Sequence, residues 1–531
     1  MKKRVSDFFK AHKNIWIDLA VLSGILLFII TSYLIFKPIY RLPDLQDGFA
    51  SRIFIYTLLI GWVITVIFLW IHKKLNMKTV LLMLLILATI LRVGYMLITP
   101  YNYRQHDTVT PYGDGHENYA WIIYETGGLP ESNVYQFYHP PLTAFLQACW
   151  MHLFRPSLEF ANIFIYAEYQ FDINNMHVMF ETTQILSCML MVILCYFVIK
   201  IFYHLDVNKI AKLFGVCFII FFPRLIQFAA QENNDPVCVF FCFLAIYFTF
   251  RYYYQKSWFN VLGIAISVGL AMMAKLSGAI IALLPAVFFV LDFIKSIKDK
   301  SQSKLFNKFE VPTWVDLLCK YFVLLLIAFA LGFWFQIYAK IRFDQPIGYV
   351  YPISEESSLY HGDVSVFRRL FNIFEFEDFY EVIYGNTFVN YNLFNFTIRS
   401  ALFGEFNFRN GDALAVFSST VNYIFVLLAI INFIIYLIKP DRKNFLLISV
   451  AVILILTQYG AQLYFNFSYP FGCTMDFRYI VPIVFGFGLM QTISIDKFIY
   501  EMSWKGVFTK ISTIFGSILI ICTTIFYLIV I

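Results

Sequence analysis

The chain reads as an all-α polytopic membrane protein of about 13 transmembrane helices, with interfacial helices in its first large outer loop. Three observations predict this. Sixty per cent of the 531 residues are hydrophobic and only 14% are charged, too few charges for a soluble surface of that size. The apolar residues fall in runs near the roughly 20 that a helix needs to cross a bilayer. No long stretch between those runs has the mixed composition of a soluble domain. The net charge of +6 reflects basic loops rather than a nucleic-acid surface.

The apolar runs fall at 15–36, 53–71, 80–99, 176–202, 210–229, 237–254, 259–273, 279–294, 317–339, 415–438, 445–464, 477–495 and 511–531. The basic N-terminus precedes a long apolar run with no small-residue cleavage site after it, so it reads as a retained first span. The run 142–154 is apolar but too short to cross. Charge decides how to place it. With a cytoplasmic N-terminus and 142–154 not crossing, twenty-four of the 40 lysines and arginines fall on the cytoplasmic side, as the positive-inside rule requires. Letting 142–154 cross would move every later basic loop outside. It therefore reads as an interfacial helix, opened by Pro140-Pro141.

That topology gathers the unusual polar groups on the outer face. The segment from Arg104 to Leu142 carries His106, Asp107, Asp114, His116 and Glu117 beside an amphipathic helix over 119–126. A general base needs a carboxylate or imidazole near a hydroxyl proton, and titratable groups between apolar flanks are candidate sites. The bland alternative is a solvated loop. A metal on His106, Asp107 and His116 is conceivable, but no closed ligand spacing indicates one. Glu232, Asn233, Asn234 and Asp235 form an outer turn ahead of Pro236. A helical-hairpin cap explains the Asn and Pro, and explains two carboxylates less well. Lys275 is either a snorkelling lysine or a cation for an anionic headgroup. Arg478 has the same two readings, and a guanidinium holds phosphate better. Pro482 would kink its span. The segment 340–414 is too long for a plain loop and reads as an outer cap.

Seven of the nine cysteines fall within apolar spans and read as small core residues. Cys149 and Cys473 lie near the outer surface, which leaves one disulfide open. No Walker loop, GxGxxG after a strand or GxSxG is present, which argues against a nucleotide-binding or serine-hydrolase domain.

The polar stretch resembles the first outer loop of glycosyltransferases of the GT-C superfamily, in the family-39-like branch related to protein O-mannosyltransferases and lipid A aminoarabinose transferases. The residues that carry the resemblance are Asp107, Gly115, His116, Tyr119, Leu129, Pro130, Tyr138, His139, Pro140, Pro141 and Leu142. Asn234-Asp235, Lys275-Leu-Ser-Gly, Leu402-Phe403-Gly404-Glu405, Arg478-Tyr479 and Pro482 follow in the expected order. The resemblance implies a GT-C-like core over 79–339 that includes the outer loop 100–175. Two additional spans over 1–78 would precede it, and the cap at 340–414 and C-terminal spans over 415–531 would follow.

It also implies the chemistry. A sugar passes from a polyprenyl-phosphate carrier to an acceptor hydroxyl outside the cytoplasm, with inversion. Asp107 would be the base, and Arg478 and Lys275 would hold the phosphate. Glu232 or Asp235, with His139, would position sugar or acceptor. His106, Asp114, His116, Glu117, Tyr119, Tyr138, Asn234 and Glu405 complete the substrate-binding candidates. Asp114, Glu117 and Glu232 each remain eligible as a second acid. The donor is already a lipid, so no cofactor is required; a divalent metal is not indicated. The partners expected are the lipid-linked donor, a surface glycan, lipid or protein acceptor, and membrane lipids of the cell membrane. Two rivals remain open. One is a transporter or flippase of a lipid-linked or anionic substrate, which would place polar groups at broken helices near the midplane in paired halves. The other is a surface-glycan ligase or polymerase.

Overall fold

The structure, a computed structural model, describes residues 15–37, 48–100, 107–108, 113–164, 172–299, 301–305, 309–374, 392–404, 412–438 and 440–530. It is an α-helical, multi-pass architecture. Among the described residues, ten segments are long and apolar enough to cross a membrane, and two bent helix pairs bring the number to twelve. The run 259–273 forms a 17-residue helix that falls short of that length.

The helices follow in order. The first three, α1 (Ile15–Phe36), α2 (Phe49–Ile71) and α3 (Met77–Ile98), precede the polar loop. Within that loop are α4 (His116–Thr126) and α5 (Leu142–Phe164), and α6 (Met176–Glu181) runs into α7 (Thr183–His204). A bent pair, α8 (Lys209–Ile220) and α9 (Pro223–Gln227), leads to α10 (Asp235–Tyr254), α11 (Trp258–Ala274) and α12 (Leu283–Asp299). A short antiparallel hairpin, β1 (Gln302–Leu305) with β2 (Phe309–Pro312), pairs Gln302 with Pro312 and sits among the basic connectors. The chain continues through α13 (Thr313–Gly332), α14 (Trp334–Phe343), α15 (Val366–Phe371) and α16 (Leu393–Phe403). It ends with α17 (Asp412–Ile438), α18 (Phe445–Ser468), α19 (Ile483–Phe498) and α20 (Trp504–Val530).

Three elements depart from the sequence expectation. The short helix at 142–154 continues to Phe164, with Pro156 inside it. Its apolar residues split into two faces. Ala144, Ala148, Met151, Phe154 and Leu158 are buried, whereas Phe145, Leu153, Phe160 and Ile163 are exposed. It is not among the apolar spans, and Arg155 and Glu159 in its second half bond to one another. The run 317–339 breaks at Phe333 into α13 and α14. The run 210–229 bends by 49° at Pro223, because a proline has no N–H for the helix ladder. The bend is satisfied internally: the Ile220 carbonyl accepts 2.8 Å from Arg92 Nη2. Arg92, in the last third of α3 and fully buried, also donates to Ala88 O at 3.1 Å. A charged residue at this depth is tolerated where it caps open backbone.

The expected kink at Pro482 is present, a 55° break between the 3-10 turn ending at Ile480 and α19. Close helix contact is set by small residues. A Cβ on Gly269 would lie 2.8 Å from Leu331 Cβ, and one on Gly332 would lie 2.7 Å from Met272 Cβ. Van der Waals approach of this kind drives association in lipid, where helices gain little from hydrophobicity.

The connections divide between two ends. One end is tied by ion pairs between basic connectors and acids, including Lys443 with Asp496 at 3.0 Å, Lys320 with Asp316 at 2.7 Å and Lys256 with Asp292 at 2.5 Å. The other end carries the polar loop, the 231–235 turn, Lys275, α14–α16 and the 469–482 segment. Those pieces bond to one another: Gln147 Nε2 to Glu232 O at 2.6 Å, Asn133 Nδ2 to Gln345 Oε1 at 3.2 Å, and Gly472 N to Leu359 O at 2.7 Å.

Candidate active site

At the second end lies a cavity of about 850 Å³, large enough for a small-molecule site. Asp107, His116, Tyr138, His139, Asn234, Asp235, Lys275 and Arg478 all line it.

Local structure explains how they arrive there. The first amides of a helix have no partner within it. At α4, the His116 and Glu117 amides donate to the Asp107 and Thr108 carbonyls at 3.0 and 3.1 Å. The Asp107 backbone is thereby fixed against a helix start. Gly115 is needed for this contact, since a Cβ there would stand 2.3 Å from Thr108 O. Asp235 opens α10 and Lys275 ends α11. Arg478 belongs to the 3-10 turn before the Pro482 break, where Asp476 Oδ1 accepts from its backbone N at 2.6 Å.

The charges interlock. Arg478 Nη1 donates to Asp107 Oδ2 at 3.2 Å. Lys275 Nζ lies 2.5 Å from Asp235 Oδ1, and Arg478 Nε lies 4.0 Å from Asp235 Oδ2. The Tyr479 ring faces both cations, 4.4 Å from Lys275 Nζ and 5.2 Å from Arg478 Cζ. Two acids and two cations therefore share one wall. His116 and His139 stack with centroids 6.0 Å apart. Burial holds both imidazoles neutral, lowering His116 to about 4 and His139 well below its usual value. Burial, then the Asp107 charge, raises Tyr135 to about 12 and pushes Tyr138 upward too. Asp107 thus stands within electrostatic reach of both tyrosines.

Other sequence candidates lie elsewhere. Glu117 faces away from the cavity, 2.6 Å from His177 Nδ1; burial raises its carboxyl and the histidine partly offsets that. Tyr119 is buried, its hydroxyl on His139 O at 3.1 Å. Glu232 is fully buried behind the turn, and its carbonyl is held by Gln147. The Asp114 backbone carbonyl accepts from Gln136 N at 3.2 Å, and Asp114 does not line the cavity. His106 and Glu405 lie outside the described residues. Among the described residues, no three His, Cys, Asp or Glu side chains gather at a spacing that would hold a metal.

The sequence reading missed several groups. Tyr135, Tyr349 and Tyr351 line the cavity; the signal was a tyrosine-rich stretch, 349–352, in the cap. Arg224 and Asp476 form a buried pair at 2.9 Å beside the site. An arginine directly after Pro223, inside an apolar run, was the available clue.

Residues 173–304 match one family profile. That family is described as dolichyl-phosphate-mannose-protein mannosyltransferase. The match indicates a membrane glycosyltransferase and supports the GT-C superfamily. It covers α6 to the first β-strand, including the 231–235 turn and Lys275 but neither Asp107 nor Arg478. No curated protein and no solved structure gives a significant match.

Proposed function

We propose that the protein is an inverting glycosyltransferase that moves a sugar from a polyprenyl-phosphate carrier to an acceptor hydroxyl on the extracytoplasmic face of the cell membrane. The observation that carries this reading is the Asp107–Arg478 contact on the cavity wall beside Lys275 and Asp235. A transferase of this kind needs a base for the incoming hydroxyl and cations for the departing phosphate. Both kinds of group stand here within one cavity. The family match supports a lipid-phosphate sugar donor.

The cations are held by acids in the free protein. An arriving lipid phosphate draws Arg478 and Lys275 to itself, because a doubly ligated phosphate outcompetes single carboxylates. Asp107 is released by the same exchange. The acceptor hydroxyl then gives its proton to Asp107 as its oxygen bonds to the anomeric carbon. The bond from that carbon to the phosphate oxygen breaks, and the lipid phosphate leaves with the electron pair. Asp235 stays beside Lys275 and fixes its position. Neutral His116 and His139 add no charge that would compete for the phosphate. The excess of basic connectors at the opposite end supports an outward-facing site.

The test is Asp107→Asn in purified protein with a polyprenyl-phosphate sugar. Transfer should fall about 10²- to 10⁴-fold, while donor binding and thermal stability hold. Undiminished turnover in that variant would sink the assignment.

A further inference from the structure

The same cavity also has an aromatic lining. Tyr135 and Tyr138 come from the polar loop, and Tyr349 and Tyr351 from the segment after α14. Their rings pack as one group. Tyr138 meets Tyr349 edge-on at 5.6 Å, Tyr135 meets Tyr351 edge-on at 5.9 Å, and Tyr138 lies near parallel to Tyr351 at 6.3 Å. Exposure grades outward, from half-buried Tyr135 and Tyr138 to Tyr351 at 37%. Asn133 and Gln345 clasp the two segments.

Two features set this wall apart from ordinary packing. Tyr135 has φ of 41°, in the left-handed region that a non-glycine residue occupies at a cost of roughly 1–3 kcal/mol. Strain of this kind is retained where the surroundings demand a particular placement. Next to it, Gln136 is 7% exposed and lines the cavity, and its Oε1 has no hydrogen-bond partner among the described residues. A buried amide oxygen left open is costly unless a ligand fills it.

We propose that this tyrosine wall is the acceptor subsite and that it takes a pyranose ring of an acceptor glycan. The inference rests on the transfer reading and names the substrate class for it. A pyranose offers one face of C–H groups and a rim of hydroxyls. The C–H face suits the negative face of an aromatic ring. Tyrosine presents that face with few rotatable bonds to immobilise. The rim hydroxyls find the tyrosine oxygens, Gln136, and Ser357 and Ser358 on the same cavity lining. An acyl chain would leave those polar groups unpaired. Asp107 is bonded to Arg478 and lines the same cavity as Tyr135 and Tyr138. A ring seated on the tyrosines lies in the same cavity as Asp107, where its hydroxyl can reach the base.

The experiment uses the full chain in lipid nanodiscs, probed with a panel of defined pyranose oligosaccharides and a panel of serine- and threonine-containing peptides. Oligosaccharide binding is expected in wild type, three- to tenfold weaker in Tyr351→Ala and in Tyr349→Ala, and restored by Tyr351→Trp; that range is about what one aromatic contact contributes. In turnover, the alanine variants raise the acceptor KM and leave the donor KM alone. The proposal is overturned if peptides bind and oligosaccharides do not, or if Tyr351→Ala binds them as wild type does. It is also overturned if the donor KM moves instead, since the wall would then hold the donor sugar. The transfer reading fails separately: Asp107→Asn turning over normally would end it, even with glycan binding intact.

Discussion

Two arginine–aspartate pairs stand almost side by side and behave as opposites. Arg224 and Asp476 are 5% and 1% exposed at 2.9 Å. Arg478 and Asp107 are 16% and 21% exposed at 3.2 Å. Asp476 and Arg478 are two residues apart, so the contrast owes nothing to chain position. The first pair is sealed: Arg224 also reaches Gln227 at 2.7 Å, and Asp476 holds the Arg478 amide. The second pair opens on a cavity. A sealed pair has no competitor and fixes geometry, whereas a pair on a cavity wall can exchange partners with a ligand. The same chemical couple is sealed in one place and open to a ligand in the other, and access to the cavity is what separates them.

Breaking the sealed pair should have the larger effect. Asp476→Ala leaves a buried guanidinium uncompensated, which costs about 3–5 kcal/mol. Thermal unfolding in detergent should show a sharp loss of stability, with activity lost alongside it. The open pair should respond the other way. Arg478→Lys keeps the charge but gives up the planar fork. The variant should fold normally and raise the donor KM about tenfold, roughly one strong hydrogen bond. If Arg478→Lys unfolds and Asp476→Ala does not, the distinction between the pairs collapses.

The smallest effect sharpens the contrast through pH. His116 is held neutral by burial, with its value lowered from 6.5 to about 4. Between those values the unfolded chain binds the extra proton, so stability falls as pH falls from 6.5 toward 4. At pH 5.5 the His116 share is about 1 kcal/mol. His116→Gln should flatten the acid side of the stability profile by that amount, and an unchanged profile would place the sensitivity elsewhere.

Much of this was legible in the sequence, for identifiable reasons. Spans follow from run length, and the Pro482 break from the proline itself. Asp107, Lys275 and Arg478 stood out because charges beside apolar runs are conspicuous. Their meeting in one cavity required tertiary structure, since Asp107 and Arg478 lie at opposite ends of the chain. At 114–119 the sequence could not separate neighbours on one short helix that point different ways: His116 lines the cavity, whereas Glu117 meets His177. The bend at Pro223 was hidden because its compensating donor, Arg92, sits on another helix. The tyrosine wall was hidden because tyrosine is common throughout this chain, and only assembly distinguishes four of them.

The second helix, Phe49–Ile71, is the least enclosed span, with 6% of its window buried. Its polar attachments to other helices include Trp62 Nε1 to Met83 O at 2.8 Å, Tyr56 hydroxyl to Leu528 O at 3.1 Å and Ser51 Oγ to Phe36 O at 3.3 Å, and Phe54 stacks on Phe36. Such a helix must be content in lipid on its own. During synthesis it enters the bilayer before Met77–Ile98 exists to receive it, and long before Leu528 is made. Its sequence is therefore answerable to the membrane first and to the fold second. Inheritance should treat it accordingly, with apolar exchanges drifting freely along its outer sides while Trp62 and Tyr56 stay put.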